Sequence, residues 1–268
     1  MRVRHSSRSL SGALTVLAAL AAPAAAQAPD IAKDFAPTGR LRVGVLMVSY
    51  FATEDVAGQL KGVVPDLAAE LGRRLAIPVA LVKLANPADV IAGFRAGELD
   101  VTFIGITADR AAVFDFGPVV LDLQTTYLVP AGSAINRIDE VDRAGVRVLV
   151  PAKSAQEAHL RKTITQATLI SVGVENPKPA VEKLAAGEAD AFSHVVPMLA
   201  SAQRMLPGAR ILPGSYFNVP IAVGYAKDRA AGVADYAKRF AEDVRASGFV
   251  RESLARAGES VKGVVVHE

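Results

Sequence analysis

The hydrophobic positions of the chain fall into short runs of strand length and longer segments of helical spacing. Residues 41–46 form a valine-rich run, and residues 64–75 follow with apolar side chains at positions 64, 67, 71 and 75. This spacing places apolar side chains on one face of a helix, and Pro65 suits its first turn. The elements predicted next are a strand over 77–83, a helix over 88–96 that ends at Gly97, and a strand over 99–106.

The second half of the chain repeats this order of elements. The strands and helices predicted there are 145–150, 154–162, 168–172, 179–186, 189–193 and 196–206. Ser154 and Glu157 form a capping-box pattern at the start of the helix over 154–162. Because strands and helices alternate in both halves, the sequence predicts an α/β fold with parallel strands.

Two segments in the different halves resemble each other. Residues 94–101, Phe-Arg-Ala-Gly-Glu-Leu-Asp-Val, match residues 184–191, Leu-Ala-Ala-Gly-Glu-Ala-Asp-Ala. The halves also open alike, with Arg42-Val-Gly-Val in the first and Arg147-Val-Leu-Val in the second. A helix, a glycine and a strand recur by chance in many α/β proteins, but the matched order favours two similar lobes.

The end of the chain does not begin a third lobe. A β-branched strand over 216–226 precedes an amphipathic helix with Val233, Phe240 and Val244 on one face, and a last helix over 250–257. One strand with two helices cannot form a core alone, so we expect them to pack on the first lobe. The predicted lobes are 27–128 plus 219–268, and 129–218, with two chain crossings that form a hinge.

The first 26 residues have the pattern of a secretory signal peptide. Arg2, Arg4 and Arg8 precede an apolar run over 10–22 and three alanines at 24–26, and the run is short for a membrane span. The alternative is an uncleaved anchor. These three arginines account for the net charge of +3, so the rest of the chain is neutral and gives no support for nucleic-acid binding.

Composition excludes several kinds of chemistry. The chain has no cysteine, which excludes thiolate catalysis and cysteine-based metal sites. The four histidines, His5, His159, His194 and His267, have no metal-ligand spacing, and no phosphate-binding glycine loop or nucleophile motif is present. No cofactor and no metal are therefore expected.

Six motifs follow one another along the chain. They are Leu41-Arg-Val-Gly-Val, Gly62-Val-Val-Pro-Asp-Leu67, Gly97-Glu-Leu-Asp-Val101, Thr107-Ala-Asp-Arg110 with Asp115-Phe116, Val148 to Glu157, and Gly187-Glu-Ala-Asp-Ala191. In this order they resemble the extracellular solute-binding proteins of family 3, the type II periplasmic binding proteins, although Val63 replaces an aromatic residue that is usual in the second motif.

The resemblance implies a fold and a function. The fold is α/β, a type II periplasmic binding protein of two α/β lobes joined by a two-crossover hinge. The chain would be the periplasmic component of an ABC-type importer that binds a small carboxylate-bearing ligand between closing lobes. The expected partners are this ligand and an ABC permease in the inner membrane, with no nucleic acid, and the protein is expected to be a monomer.

The resemblance also implies roles for residues of the first lobe. Arg110 lies where the family's arginine binds the ligand carboxylate, and a guanidinium suits this role. The alternative is a solvated Arg110 paired with Asp109 or Asp115. Gly105 and Thr107 would flank the ligand at a strand end, although Thr107 could equally be a helix N-cap and this segment is shorter than in the family.

Two further groups complete the predicted site. Lys153, Ser154 and Ala155 would bind an anion at the start of a helix, and Lys153 replaces the family's usual glycine. Its side chain would either favour an acidic ligand or point into water. Tyr50 and Phe51 follow the first strand, and each either contacts the ligand or packs in the core.

One departure from the family concerns the ligand's amino group. Amino-acid receptors often have an acidic residue near the position of Val195, whereas here only His194 precedes it. A buried ammonium without a counter-charge is costly. Either the ligand lacks an α-amino group, or Glu54 or Asp55 supplies the charge.

Two other functions are compatible with the same fold. An exported cyclohexadienyl dehydratase-like enzyme would recruit Glu157 or His194 as general acid, and it would release product from prephenate or arogenate. A ligand sensor would bind without serving an importer.

Overall fold

The computed structural model describes residues 30–173, 176–256 and 263–266. The predicted signal peptide over 1–26, His5, His267 and the last residue of the helix predicted over 250–257 lie outside the described residues. Within the described residues, none of the helices combines the length and the apolar character that crossing a bilayer requires.

Nine helices and twelve strands make up the described residues, together with one 3₁₀ turn at Ile138–Glu140. The helices are α1 Ile31–Phe35, α2 Val63–Leu75, α3 Pro87–Arg95, α4 Ala108–Ala111, α5 Ala155–Thr163, α6 Lys178–Ala185, α7 Val196–Met205, α8 Ala231–Ala246 and α9 Phe249–Arg256. The strands are β1 Leu41–Leu46, β2 Thr53–Glu54, β3 Leu60–Lys61, β4 Val79–Leu84, β5 Val101–Gly105, β6 Phe114–Val129, β7 Arg147–Pro151, β8 Thr168–Val172, β9 Ala191–Val195, β10 Arg210–Ile211, β11 Phe217–Ala226 and β12 Val264–Val265.

The main sheet contains two parallel sets of strands joined by two long antiparallel strands. Its order is β4-β1-β5-β11-β6-β9-β7-β8, in which β4, β1 and β5 are parallel and β9, β7 and β8 are parallel. Strand β6 pairs with β11 from Phe114 to Thr125 and with β9 from Thr125 to Leu128. The carboxyl ends of β5 and β9 therefore meet near the middle of the sheet, where ligands bind in open α/β folds.

The prediction missed β6, although it is the longest strand. Gly117 and Pro118 interrupt its apolar pattern, and a proline cannot donate to a strand ladder. The structure accommodates them with an irregularity in the pairing: Val119 lies opposite Ala222 and Phe116 opposite Gly224. A bulge of this kind lets a strand continue past residues that a period-two pattern excludes.

Each half of the sheet has its own apolar core. The largest cluster lies around β1, β5 and α2 and includes Val233, Phe240, Val250 and Leu254, so α8 and α9 pack on the first half. Two smaller clusters lie on the second half, one around Phe192 and one around Val148. The chain passes between the two halves twice, once along β6, which ends at Val129, and once along β11, which begins at Phe217.

The capping box predicted at α5 forms only in part. Ser154 Oγ accepts from the N–H of Glu157 at 3.0 Å, as an N-cap should. The Glu157 carboxylate, however, accepts from the N–H of Lys153 at 2.6 Å, one residue before the N-cap. This reach is available because Lys153 has a left-handed φ of 54°, which turns its N–H toward the helix.

Candidate functional site

A small cavity lies between the two halves of the molecule. It measures about 40 Å³, which is room for a few water-sized groups at about 10–15 Å³ each. The first half contributes Leu46, Tyr50, Phe51, Pro87, Ile104, Gly105 and Arg110, the crossing strands contribute Leu123, Val219 and Ile221, and the second half contributes Pro151, Ser154, Ala155, Gln156, His194 and Val195.

Arg110 is a buried cation at the wall of this cavity. Its side chain comes from the short helix α4, and the residue is only 4% exposed. Nη1 donates to the carbonyl of Gly105 at 2.5 Å and Nη2 donates to the carbonyl of Lys153 at 3.3 Å, so the guanidinium contacts both halves. Burial lowers the pKa of Arg110 to about 10, against a small opposing effect of Tyr50 and Asp109.

Carbonyl dipoles do not neutralise this charge. The guanidinium of Arg110 donates to two carbonyl oxygens, and within the described residues neither Asp109 nor Asp115 forms an ion pair with it. A buried cation is costly unless it is paired. The site therefore has an electrostatic demand for an anion, and the solvated, aspartate-paired alternative for Arg110 does not describe the structure.

Gly105 and Thr107 have different positions relative to the cavity. Gly105 ends β5 and lines the cavity, and a Cβ there would approach Val219 at 3.0 Å and Ala155 at 3.7 Å. Thr107 is the N-cap of α4, since its hydroxyl accepts from the N–H of Arg110 at 3.4 Å. It lines a neighbouring cleft of about 430 Å³ and not the cavity itself.

The start of α5 closes the cavity from the second half. Ser154 and Ala155 line it, whereas the exposed Lys153 lines the neighbouring cleft and contributes only its carbonyl to Arg110. The Ser154 hydroxyl donates to the carbonyl of Pro151 at 2.6 Å and caps α5. The N–H groups of the first turn of α5 remain as the anion-attracting feature of this segment.

Tyr50 and Phe51 form an aromatic wall. Both are buried, line the cavity and pack edge-to-face with their ring centroids 4.7 Å apart. The ring of Tyr50 also faces His194, at 6.1 Å between centroids. The two alternatives for these residues, ligand contact and core packing, are thus compatible with each other.

His194 is a buried, neutral imidazole with one unused nitrogen. The residue is 2% exposed, and its Nδ1 accepts from the N–H of Val195 at 2.8 Å. The ring proton must therefore lie on Nε2, which finds no hydrogen-bond partner in the part of the chain that the structure describes. Burial lowers the pKa of His194 to about 3, so the imidazole stays uncharged at neutral pH.

Neither carboxylate considered for an ammonium group lies at the cavity. Glu54 pairs with Lys83 at 3.1 Å, and Asp55 pairs with Lys61 at 2.9 Å and accepts from two N–H groups of its own turn. Among the residues that line the cavity, none is acidic. The described residues also contain no cluster of acidic and histidine side chains that could hold a metal ion.

Sequence reasoning missed several positions that the structure brings to the cavity, among them Gln156 and Ile104. Gln156 lies in the first turn of α5, is 4% exposed and lines the cavity. Ile104 also lines it. The internal similarity contained the signal for Ile104, because it follows Asp100 by the same number of residues as His194 follows Asp190.

Comparisons with known proteins agree with this arrangement. The family of bacterial extracellular solute-binding proteins, family 3, matches residues 41–256. No curated protein matches the chain significantly in sequence.

Solved structures with the same fold include several binding proteins. An amino acid ABC transporter substrate-binding protein from Streptococcus pneumoniae bound to L-arginine has a TM-score of 0.70 at 18% identity, over 86% of this chain and 98% of that one. A putative binding component of an ABC transporter from Wolinella succinogenes, complexed with lysine, has a TM-score of 0.69 at 20% identity, over 81% and 95%. An ancestral amino acid-binding protein, a precursor of cyclohexadienyl dehydratase, has a TM-score of 0.69 at 20% identity, over 84% and 97%. The predicted type II periplasmic binding protein fold, with two α/β lobes and two crossings, is thereby confirmed.

Proposed function

This chain belongs to the bacterial extracellular solute-binding proteins of family 3, and we propose from that premise that it is the periplasmic binding component of an ABC-type importer. Its ligand is a small carboxylate-bearing molecule held between the two lobes. We place the lobes at 27–128 plus 219–268 and at 129–218, and we assign export to a signal peptide over 1–26. The proposed ligand site consists of Tyr50, Phe51, Gly105, Arg110, Ser154, Ala155 and His194 at the cavity, with Thr107 and Lys153 beside it in the neighbouring cleft.

Arg110 is the observation that supports this proposal. Within the described residues, the guanidinium of Arg110 is 4% exposed and donates to two carbonyls, which leaves three N–H groups for a further acceptor. A carboxylate satisfies both the charge and the geometry of these donors. Because Arg110 also contacts the carbonyl of Lys153 in the other half, an anion bound here couples ligand binding to the closed arrangement of the lobes.

The geometry favours binding over dehydratase chemistry. Burial tends to raise the pKa of Glu157, but hydrogen bonds from Ser171, Arg161 and the N–H of Lys153 lower it below its usual value. A general acid needs the opposite shift. His194 is neutral and is a poor proton source at neutral pH. We therefore expect no product from prephenate or arogenate, and product formation at enzymatic rates would contradict the proposal.

A thermal-shift screen of small carboxylates tests the proposal. Protein refolded from urea, which removes co-purified ligand, is screened against amino acids, oxo acids, hydroxy acids and dicarboxylates. A ligand at 100 times its Kd stabilises by about 2.7 kcal/mol, which raises Tm by roughly 5–10 °C at this chain length. We expect at least one carboxylate to produce such a shift.

Variants of Arg110 identify the site. Arg110→Gln should abolish the shift and Arg110→Lys should weaken it, because lysine keeps the charge and loses the planar donors. Arg73→Gln is the matched control, since Arg73 is an exposed arginine paired with Glu70 on α2. Urea unfolding establishes that each variant is folded. An undiminished shift in Arg110→Gln, or a panel in which only cations without a carboxylate bind, would rule the proposal out.

A further inference from the structure

Among the groups of the cavity wall, Arg110 is a charged donor and His194 an unpartnered one within the described residues, while the side chains of Tyr50 and Gln156 can both donate and accept. Arg110 and the first turn of α5 offer N–H groups, and His194 offers Nε2–H. The carbonyls of Gly105 and Lys153 already accept from Arg110, and the Ser154 hydroxyl already accepts from Glu157. A ligand that brings acceptors therefore satisfies Arg110, which has no counter-charge among the described residues, and the unpartnered nitrogen of His194.

An α-ammonium group does not match these surroundings. It carries three donors and no acceptor, and its charge would lie near the Arg110 guanidinium with no acidic residue on the cavity wall. Glu54 and Asp55 are bound to Lys83 and Lys61 elsewhere. A buried cation without a counter-charge is strongly disfavoured, so the cavity discriminates against amino acids.

His194 indicates which group replaces the ammonium. Its Nε2–H is buried and has no partner in the described part of the chain, and unsatisfied buried donors are rare in native proteins. The tautomer is fixed, because the Val195 N–H occupies Nδ1. His194 lines the cavity, so an acceptor oxygen of a ligand that reaches Nε2–H would satisfy this buried donor.

The remaining wall is apolar and leaves little room. It consists mainly of Leu46, Phe51, Ile104, Leu123, Val219 and Ile221. These apolar residues and the small volume of the cavity, about 40 Å³, favour a ligand whose side chain is short and apolar. A second charged group on the ligand would find no partner among these six residues.

We propose that the cleft is selective for a small apolar 2-oxo acid, whose carboxylate binds Arg110 and whose 2-oxo oxygen accepts from Nε2–H of His194. This inference rests on the proposed function and names its substrate class. His194 is the residue that sets the preference over the amino acid of the same carbon skeleton.

Three ligands of one carbon skeleton test the selectivity. Isothermal titration compares 3-methyl-2-oxobutanoate, L-valine and 3-methylbutanoate, which differ only at the 2-position. We expect the oxo acid to bind at least about tenfold more tightly than 3-methylbutanoate, which lacks the acceptor for His194, and L-valine to bind most weakly.

Substitution of His194 then assigns the preference. His194→Leu should reduce the affinity for the oxo acid about tenfold and change that for 3-methylbutanoate by less than about twofold. His194→Gln, which retains an N–H near the position of Nε2, should keep part of the preference. His159→Gln is the matched control, because His159 stacks on Phe217 and does not line the cavity.

The outcomes separate this inference from the proposed function. If L-valine binds more tightly than the oxo acid, or if only another class of carboxylate binds through Arg110, the inference is wrong and the carboxylate receptor stands. If no carboxylate binds at all, both fail. The ranking of the three ligands by the unsubstituted protein decides the matter even if a His194 variant does not fold.

Discussion

The two halves of the molecule contain the same arginine–aspartate cluster in different surroundings. In the first half, Arg42 donates to Asp100 from its backbone N–H, Nε and Nη2 at 2.9–3.0 Å and to the carbonyl of Gly97 at 2.5 Å. In the second half, Arg147 donates to Asp190 from the same three groups at 2.8–3.0 Å and to the carbonyl of Gly187 at 2.7 Å. The internal similarity of the sequence therefore encodes one local structure that joins a strand to the helix–glycine turn before the next strand.

The difference lies in what covers each aspartate. The Asp100 side chain is 0% exposed and binds a second cation, Arg229, at 3.1 Å. The Asp190 side chain is 36% exposed, and Arg147 is its cation. Arg229 lies between β11 and α8, so the returning end of the chain covers the first cluster, whereas the described residues supply no such cation to the second. The first cluster thereby joins three segments of the chain, and the second joins two.

Residues at the same spacing after Asp100 and Asp190 show how the two halves differ at the cavity. Ile104 and Gly105 follow Asp100 as His194 and Val195 follow Asp190, and all four residues line the cavity. Equivalent strand ends thus face each other across the cleft. The first half supplies an apolar side chain and a glycine that allows close approach, and the second supplies the polar group.

Removal of the buried carboxylate of Asp100 should reduce the free energy of unfolding most. Asp100→Asn leaves two arginines without their counter-charge, which typically costs about 3–5 kcal/mol of the free energy of unfolding. Urea unfolding followed by circular dichroism measures this loss. Asp235→Asn, at an exposed position on α8, should change nothing measurable. A cost below about 1 kcal/mol for Asp100→Asn would show that burial of the first cluster has no energetic consequence.

His194, the polar residue at the position equivalent to Ile104, should make the free energy of unfolding depend on pH. The pKa of His194 is about 3 in the folded protein against 6.5 ordinarily, so between these values the unfolded chain binds a proton that the folded chain does not. The stability that depends on a neutral His194 is fully present above pH 6.5 and is lost as the pH falls toward 3. The free energy of unfolding should therefore fall by about 3 kcal/mol between pH 7 and pH 4. His194→Leu, which mimics the equivalent Ile104, should flatten the urea-unfolding profile over this range. An identical profile in the variant would contradict a neutral buried imidazole.

Removal of Arg229, the second cation bound to Asp100, should make the two clusters more alike. Arg229→Met keeps the apolar stem and deletes one charge-assisted hydrogen bond to Asp100, at an expected cost of about 1.5–3 kcal/mol. Its coupling to Asp100→Asn in a double-mutant cycle isolates this contact. Additive costs for the two substitutions would mean that Arg229 stabilises the protein by packing and not through Asp100.

Local patterns predicted most elements because each segment has its own signal. Residues 41–46 and 168–172 are strands with the predicted bounds, and most helix ends differ from the prediction by one residue. Strand β6 had no such signal, because Gly117 and Pro118 break its pattern and tertiary pairing with β11 sustains it. The shifted reach of Glu157 to Lys153 depends on a left-handed backbone at Lys153 that a capping-box pattern does not specify.

The candidate site was only partly predictable for a related reason. Arg110, Gly105 and His194 could be proposed from their motif positions, but the two carbonyl partners of Arg110, at Gly105 and Lys153, are far apart in sequence and come together only through the tertiary fold. Thr107 and Lys153 lie in the neighbouring cleft because short loops turn them away from the cavity. Gln156 lies in the cavity because it occupies the first turn of α5.

Disruption of the exposed cluster of Arg147 and Asp190 should reduce the free energy of unfolding least. The hydrogen bonds from Arg147 lower the pKa of Asp190, but both side chains are more than a third exposed, and such pairs contribute about 0–1 kcal/mol. Asp190→Asn should therefore cost about 1 kcal/mol or less in urea unfolding, and the cost should shrink at 1 M salt because screening weakens exposed pairs. Asp100→Asn should keep most of its cost at the same salt concentration, since the Asp100 side chain is 0% exposed and its partners Arg42 and Arg229 are only 24% and 20% exposed. Equal costs and equal salt dependence at the two aspartates would mean that the shared geometry, and not the covering by Arg229, determines what each cluster contributes.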